Sequence, residues 1–225
     1  MTAVVLQARI DSSRLPGKAL LPLGGKPVVL CVMEALSRVP SDVRILACTE
    51  DSYNDFLPLA EKAGFEIFSG SKDDVLDRYC KVIQKFQVDR VIRATGDNPF
   101  VFADAAFSVN NEAAALTADY AGYTGLPYGA GVESVSAEAL LRAAKEAEHP
   151  YEREHVCPYL YNHPEIFKIH RPAAPVQWNC PNIRLTIDTQ EDYDRAKELY
   201  TALNKEPLFY NGDIIIKKYA EIFRT

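Results

Sequence analysis

Short apolar runs alternate with longer segments whose apolar residues recur three and four positions apart, and this alternation holds through the first half of the chain. "AVVLQA" (residues 3–8) reads as a first buried strand, and "KPVVLCVMEALSRV" (26–39) follows with helical spacing. "VRILACT" (43–49) is a strand run, and "SYNDFLPLAEKAGF" (52–65) is a helix in which Pro58 predicts an early interruption. "EIFSG" (66–70) leads into "KDDVLDRYCKVIQKF" (72–86), which opens with Asp73 and Asp74 where the positive end of a helix dipole favours acids. "DRVIRATGDNPFV" (89–101) is a strand running into a turn, and "FADAAFSVNNEAAAL" (102–116) is the next helix. Repeated β-α units with short connections predict an α/β fold: a doubly wound, mostly parallel sheet with helices on both faces. Ligands of such sheets bind beyond the carboxyl ends of the strands, so the residues after "VVLQ" and after "VIRAT" belong on one edge.

The second half is less regular. "ADYAGYTGLPYGAGVESVS" (118–136) is rich in Gly and Tyr and predicts loops with a short β-ribbon, inserted as a wall of the site or as a subunit contact. "AEALLRAAKEA" (137–147) and "EREHVCPYLYNHP" (152–164) read as helices, with Pro158 at a kink or a start. "FKIHRPA" (167–173) and "NIRLTID" (182–188) read as strands, and "TQEDYDRAKELYTAL" (189–203) as an amphipathic helix with Thr189 as N-cap. No repeat or linker interrupts the chain, so residues 1–225 are expected to form a single domain.

Composition narrows the class. Hydrophobic residues make up 48% of the chain, enough for a substantial core, and the net charge of −6 argues against broad contact with nucleic acid. No apolar run approaches the roughly 18 to 20 residues that span a bilayer, and "MTAVVLQAR" lacks the basic start of a signal peptide; no membrane partner and a cytoplasmic location are expected. Five cysteines, at 31, 48, 80, 157 and 180, are an odd number with no zinc-type pair, which predicts packed, reduced thiols.

Three stretches carry candidate chemistry. Arg9, Arg14 and Lys18 follow the first strand, interleaved with Ser12, Ser13 and Gly17. Cations and a tight loop there suit a nucleotide triphosphate, although neither the Walker A nor the dinucleotide glycine spacing is present. A solvated loop whose arginines pair with surface acids explains the composition equally well. Asp97, in "RATGDNPF", follows a strand and is expected to project into the crevice, while Asp-Asn-Pro is also an ordinary turn. Asp188, in "RLTIDTQED", ends a predicted strand before a helix, where Thr189 and Asp192 would form an N-cap pair. Two acids opposite a cationic loop meet the needs of Mg²⁺ bound to phosphates, which takes one or two protein carboxylates.

"QARIDSSRLPGKALLPLGGKPVV" resembles the N-terminal signature of the cytidylyltransferases that make CMP-activated acidic sugars, among them the enzymes for 3-deoxy-manno-octulosonate and for acylneuraminate. "DDVLDRY", "RATGDNP", "REHVCPYLYNHPEIF" and "RLTIDTQEDYDRA" are similar, in order, to the branch typified by the spore coat polysaccharide biosynthesis protein F, so the resemblance covers about residues 3 to 200. It implies a nucleotide-diphospho-sugar transferase-like, Rossmann-like fold, and Arg9, Arg14 and Lys18 on the triphosphate of CTP. It further implies Asp97 and Asp188 on Mg²⁺, and Ser71 and Thr95 in the base and ribose pocket. Arg9, Lys18 and Asp97 are thereby the candidate catalytic residues. The chain departs from the sugar-acid synthetases in having Lys72, Asp73 and Asp74 near the "SG" turn. It departs from the spore coat branch at Gly131, while Glu133 is kept in the expected acceptor pocket.

His155, beside Arg153 and Glu154, invites an acid-base role, but a helix-anchoring or acceptor-binding role for Arg153 and His155 suits metal-assisted transfer better. Trp178, Tyr120, Tyr123 and Tyr128 are candidates for the acceptor pocket, for packing or for a dimer contact. The expected activity is nucleotidyl transfer from CTP to an acidic sugar or related acceptor, with release of pyrophosphate, in surface polysaccharide synthesis; a homodimer is expected from the resemblance. The alternatives are a metal-dependent glycosyltransferase, whose D-x-D motif Asp192 and Asp194 fit poorly because they lie inside the last long helix, and a non-catalytic nucleotide-binding protein.

Overall fold

Alternation of side chains along the first strand organises the molecule. In β1 (Thr2–Ala8), Val4, Leu6 and Ala8 enter one hydrophobic layer while Ala3 and Val5 enter the other, so the strand is covered on both faces. The computed structural model describes residues 1–203 and 211–223. After β1 come a 3-10 turn (Lys18–Leu20), a small ribbon of β2 (Pro22–Leu23) and β3 (Lys26–Pro27), and α1 (Val28–Leu36). The alternation continues with β4 (Val43–Thr49), α2 (Tyr53–Ala63), β5 (Glu66–Gly70), α3 (Val75–Phe86), β6 (Arg90–Thr95) and α4 (Ala103–Ala115). The remaining elements are β7 (Tyr120–Ala121), β8 (Glu133–Ser136), α5 (Ala137–Glu146), α6 (Pro150–His155), α7 (Pro158–Asn162), β9 (Ile169–His170), α8 (Gln190–Leu203) and α9 (Gly212–Phe223).

Among the described residues seven strands form the main sheet, in the order β5-β4-β1-β6-β8-β7-β9. β5, β4, β1 and β6 pair in parallel; β8 is antiparallel to both β6 and β7, and β9 runs parallel to β7. Six of the seven strands therefore point the same way, as expected. Residues of α1, α2, α4, α8 and α9 bury their apolar faces in one layer, and those of α3, α5 and α7 in the other. The chain moves from β1 outward to β4 and β5, then returns to place β6 on the opposite side of β1. This reversal makes the β1/β6 boundary the switch point of the sheet, where diverging loops leave a crevice.

Asp74 caps α3 by accepting from the Asp77 N–H at 2.9 Å, and Thr189 does the same for α8 from Asp192 at 3.2 Å. The predicted ribbon in 118–136 is present as β7 and β8. Two expectations, on Pro58 and on "NIRLTID", need correction. Pro58 does not interrupt α2: it removes one hydrogen bond, and burial of Phe56 and Ala60 on either side keeps the helix continuous. In "EREHVCPYLYNHP" the break falls as expected: Pro158 starts the second of two short helices, and Val156 turns to a positive φ of 72° between them. "NIRLTID" is not a sheet strand, although Ile183, Leu185 and Ile187 alternate inward as a strand would. Its backbone pairs with loops instead: Leu185 and Thr186 donate to the Tyr128 carbonyl, and Ile187 donates to that of Asp97. All five cysteines are free, and burial pushes the Cys31, Cys48 and Cys80 thiols up to about 11. No helix among the described residues is long and apolar enough to cross a membrane.

Candidate active site

At the switch point lies a cavity of about 510 Å³, within the size range of small-molecule sites. The loop after β1 forms one wall and the turn after β6 another. Their close approach requires Gly96, since a Cβ there would fall 2.8 Å from the Cβ of Ala8. The cationic loop is anchored by its own apolar residues: Leu15 and Ala19 are buried in the core, leaving Arg14 and Lys18 beside them to face the cavity. Gly17 provides the left-handed turn (φ 66°) that starts the 3-10 segment carrying Lys18.

Lys18 reaches both acids predicted for the metal. Its Nζ donates to Asp97 Oδ2 at 2.6 Å and to Asp188 Oδ1 at 2.8 Å, across 79 and 170 positions of sequence. Arg14 Nη2 joins Asp188 Oδ1 at 2.9 Å, and Arg184 Nη2 binds Asp188 Oδ2 at 2.8 Å. Burial pushes the Asp188 carboxyl up, but the Lys18 hydrogen bond and the charges of Lys18 and Arg14 outweigh it and hold the group below the usual carboxylate value. Arg9 differs from its two neighbours. Half exposed, it makes only long pairs among the described residues, with Asp11 (4.0 Å) and Glu154 (3.8 Å), which leaves it free to turn toward an anion.

Of the remaining predicted residues, Thr95 and His155 line the cavity, and Thr95 Oγ1 accepts from Asn98 Nδ2 at 2.7 Å. Ser71 does not line it; its hydroxyl accepts from the Asp74 N–H and shapes the start of α3, while the neighbouring Lys72 reaches the cavity. Arg153 also lies outside the wall. It binds Asp74 at 2.6 and 2.7 Å and the carbonyls of Ala144 and Ala147, tying α6 to α3 and α5. Glu133 sits behind the wall on Arg93 and Tyr120. Among the aromatic candidates Tyr128 lines the cavity, 60% exposed, whereas Tyr120 and Trp178 are core residues and Tyr123 packs against the core.

Several wall residues escaped the sequence reading. The buried Arg78 and the partly buried Arg93 are cations facing the cavity. Their signal was present: Arg93 sits between the apolar Val91, Ile92 and Ala94 of β6, and Arg78 occupies the apolar stripe of α3. Arg93 is matched by Glu133, whose charge outweighs burial and raises the guanidinium pKa. Among the described residues Arg78 donates only to the carbonyls of Ser71 and Ala47, and burial lowers its pKa. Arg184 grips Asp192 through Nε at 2.8 Å and Nη2 at 3.1 Å, beneath the ring of Tyr128. Asp192 Oδ2 also accepts the N–H groups of Asp188 and Thr189, so it is fully committed as a structural acid rather than half of a D-x-D site. The wall also holds a buried acceptor, Asn98 Oδ1, without a hydrogen-bond partner among the described residues, beside Gly129. A Cβ on Gly129 (φ +92°) would meet the Thr186 nitrogen at 2.6 Å and that Asn98 oxygen at 2.9 Å.

No group of three His, Cys, Asp or Glu side chains gathers to hold a metal among the described residues. A divalent ion here would have two protein carboxylates, Asp97 and Asp188, with oxygens close enough to share one ammonium. That donor set fits a hard cation that takes the rest of its shell from water and phosphate.

Residues 3–218 match the family model described as cytidylyltransferase. The chain is 34% identical over 210 residues to the spore coat polysaccharide biosynthesis protein SpsF of Bacillus subtilis (strain 168), covering 90% of this chain and 88% of that one. Among solved structures it is similar to a cytidylyltransferase from Leptospira borgpetersenii, with a TM-score of 0.86, 25% identity, and 99% and 93% of the two chains covered. It shares its fold with a CMP:2-keto-3-deoxy-manno-octonic acid synthetase complexed with CTP, at a TM-score of 0.67, 18% identity, and 89% and 98% coverage.

Proposed function

Because this chain belongs to the cytidylyltransferase family and is a nucleotidyltransferase, we propose that it transfers CMP from CTP to a hydroxyl of an acidic sugar or a related acceptor. Residues 1–225 act as one catalytic unit, as a homodimer, in the synthesis of a surface polysaccharide. The observation that carries this reading is the meeting of Lys18 with Asp97 and Asp188 at the switch point. A triphosphate needs cations, its metal needs oxygen ligands, and both are present within one crevice. The spore coat polysaccharide role named for the Bacillus relative, and the CTP complex of the sugar-acid synthetase that shares the fold, support the choice of acceptor and base.

In this reaction the acceptor oxygen forms a bond to the α-phosphorus as the bond from that phosphorus to the bridging oxygen breaks. Pyrophosphate leaves with the electron pair, and the hydroxyl proton passes to water. Arg9, Arg14 and Lys18 orient the triphosphate and neutralise the charge that grows on the leaving group. Asp97 and Asp188 would hold Mg²⁺, which supplies Lewis-acid neutralisation of phosphate charge when bound. Thr95 and the region of Ser71 and Lys72 flank the nucleoside, and Glu133, Arg153 and His155 support the acceptor side. Glu133 and Arg153 act there through Arg93 and α6, since neither lines the cavity.

A thermal-shift panel of CTP, UTP, GTP and ATP, each with Mg²⁺, tests this reading. A nucleotide at ~100 times its dissociation constant adds roughly 2.7 kcal/mol, which is readily measured. CTP is expected to raise Tm most and to support pyrophosphate release with acidic sugars. Equal stabilisation by the purine nucleotides would overturn the base assignment, and no shift with any of them would overturn the site.

A further inference from the structure

Two carboxylates converge on a single ammonium in the crevice. Lys18 Nζ is the hydrogen-bonding partner of Asp97 Oδ2 and, at the same time, of Asp188 Oδ1. Among the described residues Asp97 has no other side-chain partner, so the charge of Lys18 alone relieves it. The oxygens that would hold a divalent cation are therefore the oxygens that hold this lysine.

We infer that Lys18 is the resident counter-cation of the Asp97–Asp188 pair, so that a divalent cation and a triphosphate enter together, the phosphates receiving the ammonium as the cation takes its two carboxylates. The inference rests on the nucleotidyl-transfer reading and adds an energetic coupling to it. Three features make Lys18 the cation that exchanges. Its ammonium is a compact point charge on a flexible stem, able to pivot to a new acceptor. Its backbone does not need to move, because Ala19 beside it is buried in the core and the 3-10 turn is hydrogen-bonded from Leu20 N–H to the Gly17 carbonyl at 2.8 Å. Arg184, by contrast, is pinned by two hydrogen bonds to Asp192 and by the ring of Tyr128, and it holds only the opposite oxygen, Oδ2, of Asp188.

The consequence is electrostatic. A metal arriving alone must displace the ammonium or sit against it at contact distance, where like charges repel strongly. A metal arriving with a triphosphate brings the anion that draws Lys18 away. Metal and nucleotide therefore tighten each other, and by linkage the factor is the same in both directions.

Manganese binding to the full-length protein, followed by electron paramagnetic resonance of the free ion without nucleotide, tests the coupling. Lys18→Met is expected to bind Mn²⁺ at least about tenfold more tightly than the wild type, since a repelling charge has gone. The same variant is expected to bind CTP more weakly, so its two affinities move in opposite directions. Lys18→Arg, which keeps the charge, is expected to show no gain in Mn²⁺ affinity, and adding Asp97→Asn to Lys18→Met is expected to abolish the gain. Unchanged or weaker Mn²⁺ binding by Lys18→Met overturns the inference, as does an equal gain in Lys18→Arg or a gain that survives Asp97→Asn. If Lys18→Met is too unstable to titrate, Mn²⁺ is expected to raise its Tm more than it raises that of the wild type, and no greater rise overturns the inference equally. Wild-type turnover of CTP with an unmoved Mn²⁺ affinity sinks this inference alone, whereas absence of CTP binding in the wild type sinks the cytidylyl-transfer reading beneath it.

Discussion

The turn after β6 and the segment leading into α8 each deliver one carboxylate to the crevice, and they do so under opposite constraints. Asp97 sits in a Gly-Asp-Asn-Pro turn, its side chain 25% exposed and bound to a single ammonium. Asp188 is 9% exposed, with Arg14 and Lys18 on one oxygen and Arg184 on the other, and its segment is stapled by Asp192 and the Thr189 cap. One acid is lightly held and the other is part of the frame. The two acids are thus fixed to different degrees: three cations hold Asp188 in place, and one ammonium holds Asp97.

The largest expected effect separates chemistry from folding. Asp97→Asn should lower turnover on the order of 10²-fold or more while moving Tm little, because the turn keeps its backbone bonds. Pyrophosphate release at saturating CTP measures it, and near-normal release would remove Asp97 from the metal pair. Asp188→Asn should lose activity to a similar degree and also lose stability. It leaves three cations short of a carboxylate, and at roughly 2 kcal/mol for charged hydrogen bonds this is a fall of about 4–8 °C in Tm. Equal Tm values for the two variants would erase the contrast between the two acids.

Smaller is the effect of removing the cap: Thr189→Ala should cost about 1 kcal/mol in urea unfolding, with kcat changed less than KM for the metal. The smallest concerns pH. Asp188 and Asp192 are both held below the ordinary carboxylate value, each against the opposing push of burial, by Lys18 and Arg14 for Asp188 and by Arg184 for Asp192. The unfolded chain then takes up protons before the folded one does, so stability is complete above the unfolded value near pH 4. It is lost as the pH falls through the lower folded values. Arg184→Met should flatten this acid limb, read from urea midpoints between pH 5 and pH 3; a limb of unchanged steepness would mean that Arg184 does not hold the frame.

Some of the site was legible from local pattern and some was not. The cation run after "VVLQ" and the Asp after "VIRAT" could be assigned to one edge because parallel β-α units put every strand end on the same side. Arg78 and Arg93 were visible as charges in apolar stripes but lacked a partner to give them meaning. Ser71 and Glu133 were assigned by resemblance, and their side chains turn instead to Asp74 and Arg93, whereas Arg153 ties α6 to α3 and α5, the helix-anchoring alternative expected for it beside His155. "NIRLTID" carries a true strand alternation, yet its neighbours are loops, so burial follows the pattern while hydrogen bonding does not.

By itself the amino-acid order determined the strand–helix alternation, the two-faced burial of β1, the helix caps and the position of each charged stretch relative to a strand end. These depend on sterics and burial within a few residues, which periodicity records directly. Tertiary structure alone decided that Lys18 stands between Asp97 and Asp188 and that Arg184 braces the second of them. Charge pairing across 79 or 170 positions depends on where the sheet brings chain segments together, and no short-range pattern encodes a distance in space.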